Sequence, residues 1–193
     1  GSSTKTRTLL DQLKHPAGYA PIDVSGEHLT QAAAMIDADY PDLAVFPIYG
    51  DFTASYDLPA VLGAERCIVY FPGSTIGNFS PPEAERLLRG IASICGVDGG
   101  ALIATDLKKD RSTLERAYND TAGITAAFNR NILARINRDL GADFNLDRFA
   151  HRAFYHEDAG RIEMHLDSLA PQTITVQDRS FDFDTGESIR TEY

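Results

Sequence analysis

Four short strings in this 193-residue chain combine residue types that an ordinary loop does not need. Gly1-Ser2-Ser3-Thr4-Lys5-Thr6 runs directly into a helix-forming segment. A small-residue loop ahead of a helix N-terminus presents backbone N–H groups to an anion such as a carboxylate or phosphate, although Gly-Ser-Ser also reads as a scar left by cloning. Asp23 closes an apolar strand-like run, where α/β folds place an acid to accept from ribose hydroxyls; a helix-capping aspartate is the plainer alternative. Asp51-Phe52 follows the next such run and a glycine, pairing an acceptor for an exocyclic amine with a flat apolar face, a combination that suits adenine as well as a simple turn. The fourth string, Phe71-Pro72-Gly73-Ser74-Thr75-Ile76-Gly77-Asn78-Phe79, has two glycines that permit close backbone approach and an asparagine that both donates and accepts. A mere connecting loop does not call for that set, so it is read as part of a binding site.

These strings need strands and helices to hold them. Short apolar runs at Gly18–Val24, Leu43–Tyr49, Arg66–Phe71 and Ala101–Asp106 are expected strands, separated by expected helices at Thr4–Leu13, Gly26–Asp39 and Pro81–Ile94. Such alternation builds a parallel sheet through right-handed crossovers, with ligands at the carboxyl ends of the strands. Ser80 followed by two prolines and acids marks the start of the third helix. After Lys108 the pattern changes. Ser112–Asp120 and Ile124–Leu140 read as helices, the second stopped by Gly141. From Phe149 onward apolar and polar residues alternate over Phe149–His156, Arg161–Ser168, Gln172–Val176, Ser180–Phe183 and Ser188–Tyr193, with turns at Asp158–Gly160 and Asp184–Gly186. The second half is therefore expected to form a separate lobe on an antiparallel sheet.

Composition narrows the function classes. The chain is 43% hydrophobic, enough to bury a core, and its formal charge of -10 with a pI near 4.8 argues against nucleic acid or an anionic membrane as partner. No apolar run approaches the ~20 residues of a membrane span. Cys67 and Cys95 lack any ligand spacing and read as buried free thiols, which fits a reducing, cytoplasmic compartment. His15, His28, His151, His156 and His165 form no ligand cluster and no HExxH occurs, so no metal is expected. His151 and His165 could meet across adjacent strands, but both read as structural histidines.

The strings GSSTKTR, PIDVS, GDF, FPGSTIGNFSPPEA, TDLKKD, AYNDTAGITAAFNRN, NRDLGADF, RIEMHL and GESIRTE stand in this order across nearly the whole chain. In sequence and spacing they resemble the histidine-specific Nα-methyltransferases of ergothioneine biosynthesis. The resemblance implies a Rossmann-like class I core for S-adenosylmethionine over residues 1–108, partial at its start, and a substrate-binding α+β lobe with an antiparallel sheet over 109–193. It implies a co-substrate, S-adenosylmethionine, and a small-molecule substrate, L-histidine, trimethylated on its α-amine to hercynine. Gly1 and Lys5 would then sit at the methionine carboxylate, Asp23 at the ribose, and Asp51 with Phe52 at the adenine. Gly73, Thr75 and Asn78 would hold the amino-acid end of the substrate, with Tyr118 contacting its α-amine and carboxylate and Met164 lining its side-chain pocket. Glu192 would take an imidazole N–H. The catalytic pair implied is Tyr118 and Asn78.

Such enzymes carry further glycines and a strand before the position of Gly1, substrate tyrosines from an earlier segment, a serine two positions after the glutamate, and strands beyond it. The chain is accordingly expected to be the centre of such an enzyme, cut at both ends through its own site. Methyl transfer from a sulfonium is an in-line displacement that needs alignment and a neutral amine but no metal. A nearby sulfonium itself helps, because a like charge disfavours the ammonium form. Three other readings stand beside this one. A nicotinamide-dependent dehydrogenase would share the α/β frame but needs an intact GxGxxG, and none is visible. A related N-methyltransferase acting on another amine should differ at Glu192. A ligand-binding module without catalysis would keep the fold but has no need of Asn78, Tyr118 and Glu192 together.

Overall fold

A computed structural model describes residues 3–54 and 65–193, which form a mixed α/β protein. Its contacts divide into two compact units, Gly1–Thr105 and Asp106–Tyr193.

The first unit alternates helices with short parallel strands: α1 (Thr4–Leu10), β1 (Ile22–Asp23), α2 (Gly26–Asp39), β2 (Ile48–Tyr49), β3 (Ile68–Phe71), α3 (Pro81–Cys95) and β4 (Gly100–Ile103). β1 pairs in parallel with β2, and β3 with β4. The first two strands are much shorter than the apolar runs around them. Tyr19 and Val45 form a single parallel bridge, and pairing resumes only at Ile22 and Ile48. Pro21 lies between these points and has no N–H to give to the ladder, although its carbonyl still accepts from the Ile48 N–H at 2.8 Å. α1 also stops early, because Gln12 and Leu13 bond back to Leu9 and Leu10 in a tightened final turn.

α3 shows how sequence sets an element here. Ser80 caps it, its N–H donating to Glu83 Oε2 at 2.8 Å in a capping box, with Pro81 and Pro82 in the first turn. Leu87, Ile91 and Cys95, each four apart, fall on one face and are buried with Val69, Phe71, Phe79 and Phe52 packed against them. Where α3 gives way to β4, Gly99 runs so close to the backbone that a Cβ would stand 2.1 Å from the carbonyl oxygen of Cys95 and 2.4 Å from that of Cys67. Only glycine fits there. Leu10, Ile36 and Leu43 form a second small core under α1 and α2.

The second unit begins with α4 (Arg111–Tyr118) and α5 (Ile124–Leu140), followed by five strands: β5 (Phe149–His156), β6 (Arg161–Ser168), β7 (Gln172–Val176), β8 (Arg179–Phe183) and β9 (Ser188–Glu192). Gly141 ends α5 in the left-handed conformation, φ 64°. β5 and β6 form a hairpin in continuous antiparallel register from Phe149↔Ser168 to His156↔Arg161, and β9 joins β6 on its other side to make the order β5-β6-β9. β7 and β8 make a separate hairpin. Phe149, Leu133, Leu166 and Ile174 form the core between α5 and these strands.

β9 carries an irregularity in its pairing with β6. His165 pairs with Arg190, but the next pair is Met164↔Glu192, so one residue is extra on β9. Continued without that bulge, the register would set Glu192 opposite Glu163, two carboxylates directly across a strand pair, which is unfavourable. With it, Glu192 shares a face with Met164, and Thr191 Oγ1 donates to the Met164 carbonyl at 3.0 Å, fastening the extra residue in place. No helix among the described residues is long and apolar enough to cross a membrane.

Candidate functional site

In the first unit, Asp23 ends β1 and Ser3 precedes α1. Together with Ser25, His28, Gln31 and Met35 they line one cleft of about 460 Å³, a size within the roughly 300–1,000 Å³ of small-molecule sites. Asp23 Oδ1 also accepts from the Ser25 N–H at 2.8 Å, so the carboxylate caps the chain entering α2 while lying in the cleft. Lys5 is exposed in the first turn of α1. Gly1 lies outside the described residues.

Asp51 and Phe52 are tied to the glycine-rich loop by aromatic packing. The Phe52 ring meets Phe71 edge-on at 5.5 Å and Phe79 at 6.2 Å, the residues that open and close that loop. Asp51 is exposed, and its Oδ1 accepts from both the Thr53 N–H (2.9 Å) and hydroxyl (2.7 Å). Those hydrogen bonds hold its carboxyl below the usual range. Asp51 thus closes a turn, whatever else it does.

Within the loop, Gly73 and Ser74 are both left-handed, φ 83° and 58°. Glycine takes this freely; serine does so at a cost that the surroundings must offset. The two residues reverse the chain sharply after β3, so that Thr75–Asn78 form a single 3-10 turn. The Thr75 hydroxyl donates to the Pro72 carbonyl, and Asn78 is exposed at the turn's end.

In the second unit the chain sets Glu192 across from Met164 and places Tyr118 near enough to Glu192 to feel its charge. Met164 is 3% exposed, and Glu192 stands across from it at the bulge. Burial raises the Glu192 carboxyl above its ordinary value. Burial also raises the Tyr118 phenol above 10.0, with the nearby carboxylates of Asp106 and Glu192 adding to the effect. Tyr118 therefore stays a neutral hydroxyl near neutral pH, able to donate and accept but not to serve as a base.

Three residues beside this group were not singled out from sequence. Asn119 pairs with both backbone groups of Ala153, donating to its carbonyl (2.9 Å) and accepting from its N–H (3.2 Å). Glu115 accepts from the Tyr155 N–H, so α4 covers the open edge of β5 with side-chain partners. Asp120 caps α5, its two oxygens accepting from the N–H groups of Ile124 and Thr125 at 2.9 and 2.8 Å. A hydrogen bond from the Thr125 side chain, together with these backbone bonds, draws its carboxyl down to about 2. The signal was present: an Asn-Asp pair between two helical segments reads as a stop and a cap.

On the opposite face of β6, Glu163 is 5% exposed and paired with Arg161 (2.7 Å) and His165 (3.0 Å). Burial works to raise its carboxyl, but these partners outweigh it and leave it lowered. His165 Nδ1 meets the Ser188 hydroxyl at 2.8 Å, so both ring nitrogens are engaged within the fold. Among the described residues no group of three or more potential ligands could hold a metal.

The fold is that of an α/β protein with a cleft at the carboxyl end of a parallel strand in its first unit and a partly buried carboxylate on an antiparallel sheet in its second. Comparison with known proteins makes the class specific. The chain belongs to the family of histidine-specific, S-adenosylmethionine-dependent methyltransferases, whose model matches residues 1–193. It is 42% identical over 197 positions to the histidine N-alpha-methyltransferase of Mycolicibacterium smegmatis and 40% identical to that of Mycobacterium tuberculosis, in each case with 100% of this chain and 61% of the relative covered. Ergothioneine biosynthesis protein 1 of Neurospora crassa is 28% identical over 91% of this chain and 20% of its own length. The chain thus spans about three fifths of the bacterial relatives it matches.

Proposed function

We propose that the protein transfers methyl groups from S-adenosylmethionine to the α-amine of L-histidine, yielding hercynine on the route to ergothioneine. The observation that carries this reading is the Tyr118, Met164 and Glu192 group. An imidazole ring needs an apolar wall for its face and an acceptor for its N–H, and Met164 with Glu192 supplies both. The names of the bacterial relatives, which specify histidine and its α-nitrogen, support the same substrate.

In this reading the first unit is the Rossmann-like part and the second the substrate lobe. Asp23 in the cleft accepts from the ribose hydroxyls, with Asp51 and Phe52 at the adenine and Lys5 with the opening loop at the methionine carboxylate. The cleft's volume and its polar rim suit such a ligand. S-adenosylmethionine, when bound, supplies the methyl group and a positive sulfonium that favours the neutral amine. The chain's own work is alignment. Gly73, Thr75 and Asn78 hold the amino-acid end of histidine. Tyr118, a neutral phenol whose ionisation burial further disfavours, orients the amine by hydrogen bonding. Glu192 reads the imidazole, and no residue need form a covalent bond. Free Cys67 and Cys95 fit a reducing compartment such as the cytoplasm.

Calorimetry tests this directly. With S-adenosylhomocysteine present, histidine should bind the protein at one site per chain, and phenylalanine should bind far more weakly. Equal binding of the two would remove Glu192 from the account. Unchanged histidine affinity and turnover in Tyr118→Phe would remove Tyr118.

A further inference from the structure

Tyr118 is the last residue of α4, and a helix leaves its final four carbonyls without intrahelical partners. The Tyr118 carbonyl is nonetheless bonded. His151 on β5 places Nε2 2.9 Å from it. The other ring nitrogen, Nδ1, lies 3.0 Å from Asn129 Nδ2 on α5. Asn129 is 1% exposed, and the same Nδ2 donates to the His165 carbonyl at 3.1 Å.

These contacts fix both amide and ring. The His165 carbonyl can only accept, so the amide nitrogen of Asn129 must face it and, with it, His151 Nδ1. A flipped amide would set an oxygen against the His165 carbonyl. Nδ1 therefore accepts, the ring proton resides on Nε2, and that proton is donated to the Tyr118 carbonyl. A polar chain thus runs from the middle of α5 through β5 to the end of α4, where the side chain proposed to touch substrate is mounted. Terminal helical residues have the fewest restraints, and the position of this one is set from outside the helix.

We infer that His151, oriented by Asn129, is a positioning residue for Tyr118, capping α4 so that the phenol is held where it meets the α-amine of the substrate. The inference rests on the role proposed for Tyr118. It also gives a use to the polar side chains of His151 and Asn129, since burying such groups costs free energy unless they are hydrogen-bonded; the Asn129 amide nitrogen is bonded twice, while its Oδ1 has no partner among the described residues.

The test is a double-mutant cycle read by histidine affinity and by kcat. His151→Phe should weaken histidine binding or slow turnover by between about tenfold and a hundredfold, as misplacement of a reacting group does. Affinity for S-adenosylhomocysteine should stay within twofold. His151→Gln, whose amide can donate to the Tyr118 carbonyl and accept from Asn129, should recover most of the loss. In a Tyr118→Phe background His151→Phe should cost little more. Full additivity in the cycle, or an equal loss of S-adenosylhomocysteine affinity, overturns the positioning role while leaving the Tyr118 assignment intact. A silent Tyr118→Phe overturns both. Nitrogen NMR of the unmodified protein gives an independent reading, and a His151 ring carrying its proton on Nδ1 sinks the inference regardless of the kinetics.

Discussion

Replacing Glu192 by glutamine separates recognition from folding. The substitution preserves volume and one acceptor oxygen, so the bulge and the contact with Met164 should survive. It removes the charge that a partly buried carboxylate offers to an imidazole N–H. Hydrogen bonds to charged groups contribute about 1.5–3 kcal/mol against about 0.5–1.5 for neutral ones, and the difference of about 1–1.5 kcal/mol corresponds to roughly 5- to 13-fold in the dissociation constant for histidine. Phenylalanine has no ring N–H and should be unaffected, so the preference for histidine falls by the same factor. Stability should move the other way. Burial raises the Glu192 carboxyl in the folded chain. Its contribution is therefore fully present below the unfolded value and lost as pH rises through the raised one. The E192Q protein lacks that loss, so its stability relative to the parent should improve between pH 4 and pH 7. Calorimetry with both amino acids and thermal melts at the two pH values provide the readouts. Histidine affinity unchanged within twofold, or an equal fall for phenylalanine, would refute the assignment of Glu192. A stability difference independent of pH would refute the account of its burial.

Two further outcomes follow from local geometry. Gly99→Ala places a Cβ against two backbone carbonyls that cannot swing away; the expected cost is about 3 kcal/mol, a fall of roughly 6–12 °C in melting temperature, and an unchanged midpoint would show that the α3–β4 junction is looser than described. Asp120, drawn from 3.8 to about 2 by its cap on α5, stabilises the fold above its unfolded value and loses that contribution as pH falls from about 4 towards 2; Asp120→Asn should flatten the acid limb of the stability curve in that window, and an unaltered limb would assign acid sensitivity elsewhere.

The elements most legible in the sequence were those with punctuation at both ends. α2, α5, β5, β6 and β7 begin and end where the caps and turns around them indicated. The first strands were overestimated because their apolar runs are continuous, while Pro21 removes a donor from the middle of the ladder. At the candidate site, residue type pointed to Tyr118, Met164 and Glu192 only through resemblance, since a lone glutamate on a strand otherwise reads as solvated. What could not be read was their convergence, because alternation reveals the faces of one strand but not its register against another. The supports were equally hidden. Asn129 and His151 stand 22 residues apart, and nothing in their spacing announces that one fixes the proton of the other.

If Glu192 reads the substrate as proposed, the bulge on β9 makes that reading a matter of counting. Arg190, Thr191 and Glu192 are three successive residues with three different chemistries, and one inserted position decides which of them meets Met164. Flattening the bulge with every side chain retained would bring Thr191 opposite Met164 and set Glu192 against Glu163, whereas deleting one residue between Ser188 and Glu192 would remove the bulge and leave Glu192 opposite Met164. Conversely, a relative could acquire a new substrate by sliding this segment one notch while its composition stayed the same. The strand register at this point would then be as informative about specificity as any substitution.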